Sequence, residues 1–391
     1  MLRDSLALSE HMLLVPAPLA PLLGLMDGTR DAQALGRAFE LRTGYALPAA
    51  QVHQVLHQLR DALFLEDTAY REARERALEA YRAAPARPPT LAGQIYAANP
   101  TELAQQLAAY GASLAGDPLP ADGADPEPRH DLVGIVSPHI DYQRGGRTYA
   151  QVWSRAAAAA RRAELVIILG TDHAGAPGLT LTRQPYATPW GVLPTDRAVV
   201  NDLADALGPP EAFAQELHHR GEHSIELAAV WLHYVRAGQP CPVVPILCGS
   251  FAPYVGAEQD PEQSAVFAAA LEVLRPLLSQ RRTLVVAAAD LAHVGPAFGD
   301  PTPVDAPGRE RLASVDRALL AAASSGDAAA FFRQVQEVGD RFRICGLPPI
   351  YLMLRLVGAA QGDVLGYDQC PADAEGGSLV SIAGVTVRRP S

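Results

Sequence analysis

From Leu132 onward, short unbroken apolar runs alternate with long amphipathic stretches. The runs Leu132–Val136, Leu165–Leu169, Val243–Leu247 and Leu284–Ala288 are continuous rather than alternating, which predicts strands buried on both faces. Between and after them, apolar residues recur at helical spacing over about Thr148–Arg162, Arg197–Leu207, Ser224–Arg236, Pro261–Gln280, Arg309–Ser324, Ala328–Val338 and Pro349–Ala360. Short strands separated by long helices predict βαβ units, hence an α/β fold with a mostly parallel sheet flanked by helices. Gly362–Cys370 and Ser378–Val387 read as two closing strands.

The first part of the chain has a different rhythm. Ala20–Met26, Arg30–Arg42 and Ala49–Leu63 are helical in pattern, and each of the first two stops at a Gly-containing turn signal. Leu63-Phe64-Leu65 reads as a short wing strand, so residues 1–67 are expected to form a small helical, winged-helix-like module. Residues 68–87 read as a charged connecting helix and linker, with opposite charges three and four apart. Residues 88–391 then form the α/β domain, interrupted at 116–129 by a loop rich in Pro, Gly, Asp and Ala.

Composition narrows the functions. The chain has 391 residues, 49% of them hydrophobic, and a net charge of −11, which speaks against a nucleic-acid partner. All 32 basic residues are Arg; without Lys there is no Schiff-base lysine and no Walker A loop. Four Cys without a C-x-x-C pair are neither a zinc ribbon nor a disulfide framework. No apolar run has the length of a membrane span and no signal peptide is apparent, so the cytoplasm is the expected compartment.

The candidate chemistry lies where strands end. The first run leads into Ser137-Pro138-His139-Ile140-Asp141-Tyr142, the second into Thr171-Asp172-His173, and the fourth into Asp290-Leu291-Ala292-His293. In a parallel sheet these ends share one edge, where open α/β folds bind ligands. Gly221-Glu222-His223-Ser224-Ile225-Glu226 opens a helix and adds a further His and carboxylate. Imidazoles and carboxylates on rigid strand ends suit a metal, and two His with one carboxylate suit non-haem iron; without a metal the same groups can do acid–base work. A single His at a strand end is ordinarily a loop residue, but the same pairing at three ends is harder to dismiss. His233 reads as structural, and His218 and His219 as loop residues. Arg144-Gly145-Gly146-Arg147 is either an anion-binding turn or a tight loop. Cys345, before a helix, would be acidified if it sat at the helix N-terminus, but a small buried thiol is the plainer reading.

Taken together, these segments resemble the Memo family, also known as protein B of the AmmeMemoRadiSam system. The resemblance rests on Pro138-His139-Ile-Asp-Tyr142, Gly170-Thr-Asp-His173, Thr188-Pro-Trp-Gly191 with Asp196, Glu222-His-Ser-Ile-Glu226, Asp290-x-x-His293 and Ile344-Cys-Gly346, over about residues 88–391. The N-terminal module resembles small domains of the PqqD type, which bind partners or peptides. The Memo resemblance implies a fold similar to the LigB-like class III extradiol dioxygenases. It also implies a divalent metal, iron first, with copper or zinc as alternatives. Its ligands would be His139, His173 and His223, with His223, Asp290 and His293 as catalytic groups. Asp141, Tyr142, Asp172 and Glu222 would contact substrate. Ala292 stands where some relatives carry a Cys, and Arg220-Gly221 where they carry acid. The function so implied is a metal-dependent oxidoreductase acting on a small-molecule or peptide-borne substrate. The alternatives are a non-catalytic ligand- or peptide-binding module and a zinc-dependent or metal-free hydrolase.

Overall fold

A computed structural model describes residues 2, 4–9, 11–112, 132–256 and 260–389; the loop expected at 116–129 lies outside them. The chain forms two compact units, Met1–Ala83 and Ala84–Ser391. Among the described residues no helix is long and apolar enough to cross a membrane.

The first unit contains helices Ala20–Leu23, Ala32–Thr43, Ala49–Asp61 and Thr68–Ala83, and Leu22, Leu35, Phe39 and Val52 form a core among the first three. Asp31 caps the second of these by accepting from Ala34 N, and Gly44, at φ 76°, ends it. The expected wing strand does not form. Leu63 adopts φ 60° and Phe64 N returns to Leu59 O at 2.8 Å, so Leu63–Leu65 closes the preceding helix as a turn instead of extending.

The second unit is α/β, with a mixed, mostly parallel sheet. Its strands are β1 Leu132–Ser137, β2 Leu165–Thr171, β3 Leu179–Leu181, β4 Tyr186–Thr188, β5 Gly191–Leu193, β6 Val243–Cys248, β7 Thr283–Ala288, β8 His293–Val294, β9 Gln361–Pro371 and β10 Leu379–Arg388. The main sheet runs β3-β6-β2-β7-β1-β10-β8, with β9 on β10 and β4–β5 as a separate hairpin. The four predicted runs, β6, β2, β7 and β1, are its parallel centre, and every residue of them is buried. β9 and β10 run antiparallel, and β10 lies against β1.

Two local readings change. The helix after β1 begins at Tyr142 because Asp141 caps it, accepting from Arg144 N at 3.1 Å. Gly145 and Gly146 therefore sit inside that helix and form no anion-binding turn. Their lack of a side chain admits Ile140 and the Tyr110 ring, which a Cβ would meet at 2.5 Å. The run 261–280 is not one helix: Pro276, which cannot donate a backbone hydrogen bond, separates Ala265–Leu274 from Leu277–Gln280.

Candidate metal centre

β2, β7 and β1 are adjacent, so the residues that follow them emerge side by side at the C-terminal edge. The middle one, Asp290 after β7, organises the others. Its carboxylate accepts from His139 N at 2.8 Å, which ties the turn after β1 to the turn after β7. Asp290 O accepts from Gly346 N at 3.0 Å and brings in the segment before the Leu347–Val357 helix. That approach needs Gly346: a Cβ there would lie 2.3 Å from Asp290 O. Thr171 Oγ1, at the end of β2, donates to Cys345 O at 3.0 Å.

The His139 ring is buried, with Nδ1 3.0 Å from Ala288 O. A carbonyl only accepts, so Nδ1 carries the proton and Nε2 presents its lone pair. Nε2 faces Cys345 Sγ at 3.3 Å and Asp290 Oδ2 at 3.7 Å. His173 is held from behind: its backbone N donates to Glu222 Oε2 at 3.1 Å, and its Nδ1 lies 3.1 Å from the same oxygen. The other ring nitrogen, Nε2, remains. The ring centroids of His139 and His173 are 4.9 Å apart and near perpendicular, while His173 and His223 stack at 4.8 Å.

Glu222 also folds over its own helix start, accepting from His223 N at 2.8 Å and Ser224 N at 3.0 Å. This placement depends on Gly170 in β2, where a Cβ would fall 2.6 Å from Ile225 Cγ1 and Ser224 Oγ. The Ser224–Val235 helix thus seats its first turn directly on the strand, with Ser224 Oγ donating to Thr171 O at 2.9 Å.

Among the described residues, two groups bring three ligand atoms within 4.8 Å of one another: His139, His173 and Cys345; and His173, Glu222 and His223. The geometry thus adds Cys345 to the expected pair of His139 and His173, while the His223 ring lies 5.3 Å from that of His139. His223 Nδ1 is instead turned to Glu222 at 3.1 Å, with its ring half-exposed beside His173. Ala292 offers no sulfur, but the Cys345 thiol lies at the same strand edge, brought there by another segment.

The electrostatics treat the two central imidazoles differently. Burial, reinforced by His173 and His223, holds His139 well below the ordinary His range. For His173, burial acts downward but the hydrogen bond and charge of Glu222 prevail and raise it. Burial acts upward on Glu222, yet its contacts with both imidazoles hold its carboxyl well below the usual range. Burial raises Asp290 against the hydrogen bond from His139. Enclosure of the Cys345 thiol, with the Asp290 charge beside it, pushes it well up; it is not acidified by the helix.

The remaining predicted residues have other partners. Asp141 caps its helix and pairs with Arg144 Nε at 2.5 Å. Tyr142 is fully buried and donates to Leu227 O at 2.7 Å, which leaves its hydroxyl no access to a substrate. Asp172 is buried and turned to His218 Nδ1 at 2.9 Å. Glu222 is occupied by the two imidazoles and the helix start. His293 lies to one side, with Nδ1 3.3 Å from Leu291 O and its ring against Phe298. His219 is a core residue, fully buried between Tyr186 OH at 2.7 Å and Thr180 O at 3.0 Å; burial pushes it down to about 4. His233 is likewise structural, 2.7 Å from Thr188 Oγ1.

Comparison with known proteins places this geometry in context. Residues 87–386 match a family model described as Memo-like protein. A MEMO1 family protein of Aquifex aeolicus is 28% identical over 98% of this chain and 94% of its own length. Another, from Thermus thermophilus, is 26% identical over 88% of this chain and 94% of its own. The memo-1 homologue of Caenorhabditis elegans is 27% identical, over 68% of this chain and 69% of its own.

Proposed function

Because the chain belongs to the Memo family, we propose that its strand-edge cluster is a metal centre, with His139 Nε2, His173 Nε2 and Cys345 Sγ as ligands, and that the protein is a metal-dependent oxidoreductase. The observation that carries this is the convergence of two imidazoles and a thiol from three separate segments, with each imidazole already fixed from behind. Tautomers fixed in this way are what metal-ligating histidines need. The donor set fits a first-row transition ion. Iron is the first choice, and the thiolate brings copper closer than the expected third histidine did. When bound, such an ion would supply one-electron redox chemistry at the strand edge, where the His173 side chain is partly exposed.

The chain's own residues do the rest. Glu222 orients His173 and balances the positive charge of the site. Asp290 holds the His139 turn in register with Cys345. His223, half-exposed and backed by Glu222, is placed to hold or pass a proton at its outer nitrogen. The substrate is a small or peptide-borne group, the N-terminal unit is a docking module, and the compartment is the cytoplasm.

Metal analysis of protein purified without chelator tests the reading. Iron or copper near one equivalent is expected in the parent chain and its loss in His139→Ala, His173→Ala and Cys345→Ser. Full occupancy in all three variants would falsify the ligand assignment. A chain that binds metal yet consumes no oxygen with any reductant would be a binding module on the same fold.

A further inference from the structure

We propose that Arg87 is the positioning residue of the site, acting through the segment that carries Glu222 and His223. Arg87 lies far from the strand edge in sequence, is fully buried, and directs all three guanidinium nitrogens at that segment or its anchor. Nε donates to His219 O at 2.9 Å and Nη2 to Glu222 O at 2.9 Å. Nη1 pairs with the buried Glu226 carboxylate, one turn into the helix that follows His223. One planar fork therefore holds both the turn before the histidine and the helix after it. The same arginine is fixed in place by its own backbone, which lies between Pro185 O and Ala187 N.

Glu226 is saturated from the other side. It accepts from Tyr96 OH at 2.5 Å, Leu91 N at 2.9 Å and Thr90 Oγ1 at 2.9 Å. A pair this deeply buried is a weak source of stability but a strong source of geometric specificity, because each charge is tolerated only when the other is in place. Its geometry is also specific to arginine: three backbone carbonyls, those of His219, Glu222 and Pro88, and a carboxylate around one group match a guanidinium fork and not a lysine point charge. Glu222 presents its carboxylate to His173 and its carbonyl to Arg87. The guanidinium thus sets the position from which Glu222 reaches His173. The effect on the metal rests on the proposed ligands; the effect on the segment does not.

The test is Arg87→Met combined with Glu226→Gln, which removes both charges so that neither is left buried alone. The amide that replaces the Glu226 carboxylate keeps an acceptor for the 90–96 segment, while the bonds to His219 O and Glu222 O are lost. Amide hydrogen exchange of the full, metal-free chain is followed by mass spectrometry. Peptides over 218–224 are expected to exchange about tenfold faster or more, with β2, β7 and the rest of the helix at parental rates. An unchanged 218–224 segment, or acceleration spread evenly over the domain, overturns the proposal. Should the double variant fail to fold, Arg87→Lys keeps the charge without the fork; the same local acceleration is expected, and parental exchange overturns it. A cobalt(II) titration gives the second measurement, with about tenfold weaker binding and an unchanged thiolate-to-metal absorption expected in the variant. Equal affinity in variant and parent overturns the claim on the site. A parent chain that takes up no cobalt instead defeats the ligand assignment and leaves the exchange result to decide the role of Arg87.

Discussion

Cys345 Sγ lies 3.3 Å from His139 Nε2, across 206 positions of sequence. This contact sets a thiol beside two strand-edge histidines, the mixed nitrogen–sulfur donor set of the proposed metal centre. Cys345→Ser is therefore expected to change the kind of site, since oxygen is a harder donor than thiolate. Copper(I) affinity should fall by about tenfold or more, and thiolate-to-metal absorption should vanish. Absorption spectra of metal-loaded parent and variant check this; an unaltered spectrum would remove sulfur from the ligand set.

Glu222 contacts His173 through both its backbone and its ring. Glu222→Gln keeps the shape and removes the charge that favours a basic, correctly turned imidazole. Metal affinity is expected to weaken about 10- to 100-fold, as for other carboxylates behind metal-bound histidines. Competition titration against a chelator of known affinity measures it, and no change would reduce Glu222 to a helix cap.

Gly346 is where the Cys345 segment meets β7. A Cβ there would lie 2.3 Å from Asp290 O and 2.7 Å from Ala289 Cβ, neither on a flexible side chain. Gly346→Ala should destabilise the fold by about 1–3 kcal/mol. Metal binding should weaken with it, because Cys345 moves away from His139. Chemical denaturation with and without metal separates the two effects. A variant with parental stability would show that the segment shifts freely.

Asp316 gives a pH dependence independent of the site. It is fully buried, with one carboxylate oxygen accepting from Tyr367 OH at 2.8 Å. Burial raises it from 3.8 to about 6, against the hydroxyls of Tyr367 and Ser381. The folded state therefore holds a proton that the unfolded chain has lost, so stability falls as pH rises from about 4 through about 6. Above that window the buried charge costs roughly 3 kcal/mol, at about 1.4 kcal/mol per pH unit. Asp316→Asn should raise stability at pH 8 and leave it nearly unchanged at pH 4. Denaturation midpoints at the two pH values decide, and equal gains at both would contradict the burial argument.

The parallel centre of the sheet was legible because β1, β2, β6 and β7 are unbroken apolar runs, which only burial on both faces explains. His139, His173 and Asp290 were legible for a related reason: each directly follows such a run, so topology alone brings them together. Cys345 was not. It follows no strand, and a lone Cys before a helix carries no periodic signal; only its place in Ile344-Cys-Gly346 marked it. Arg87 was hidden in a Pro-rich stretch, where an arginine reads as solvated. Tyr142 and Asp141 were misleading because they neighbour His139 in sequence, while a helix that starts at Tyr142 turns them toward its cap and core. The wing strand failed because three apolar residues specify neither extension nor a pairing partner.

β1 is central to the sheet only because β10 lies along its free side. The two are separated by most of the domain, and Cys345 is made late as well. At about 5–20 residues per second of synthesis, His139 precedes β10 by about 10–50 seconds. Throughout that interval β1 lacks its outer neighbour and the histidines lack their sulfur. A site built from His139, His173 and Cys345 is therefore complete only after translation has passed Cys345, and the outer edge of β1 stays open until β10 is made.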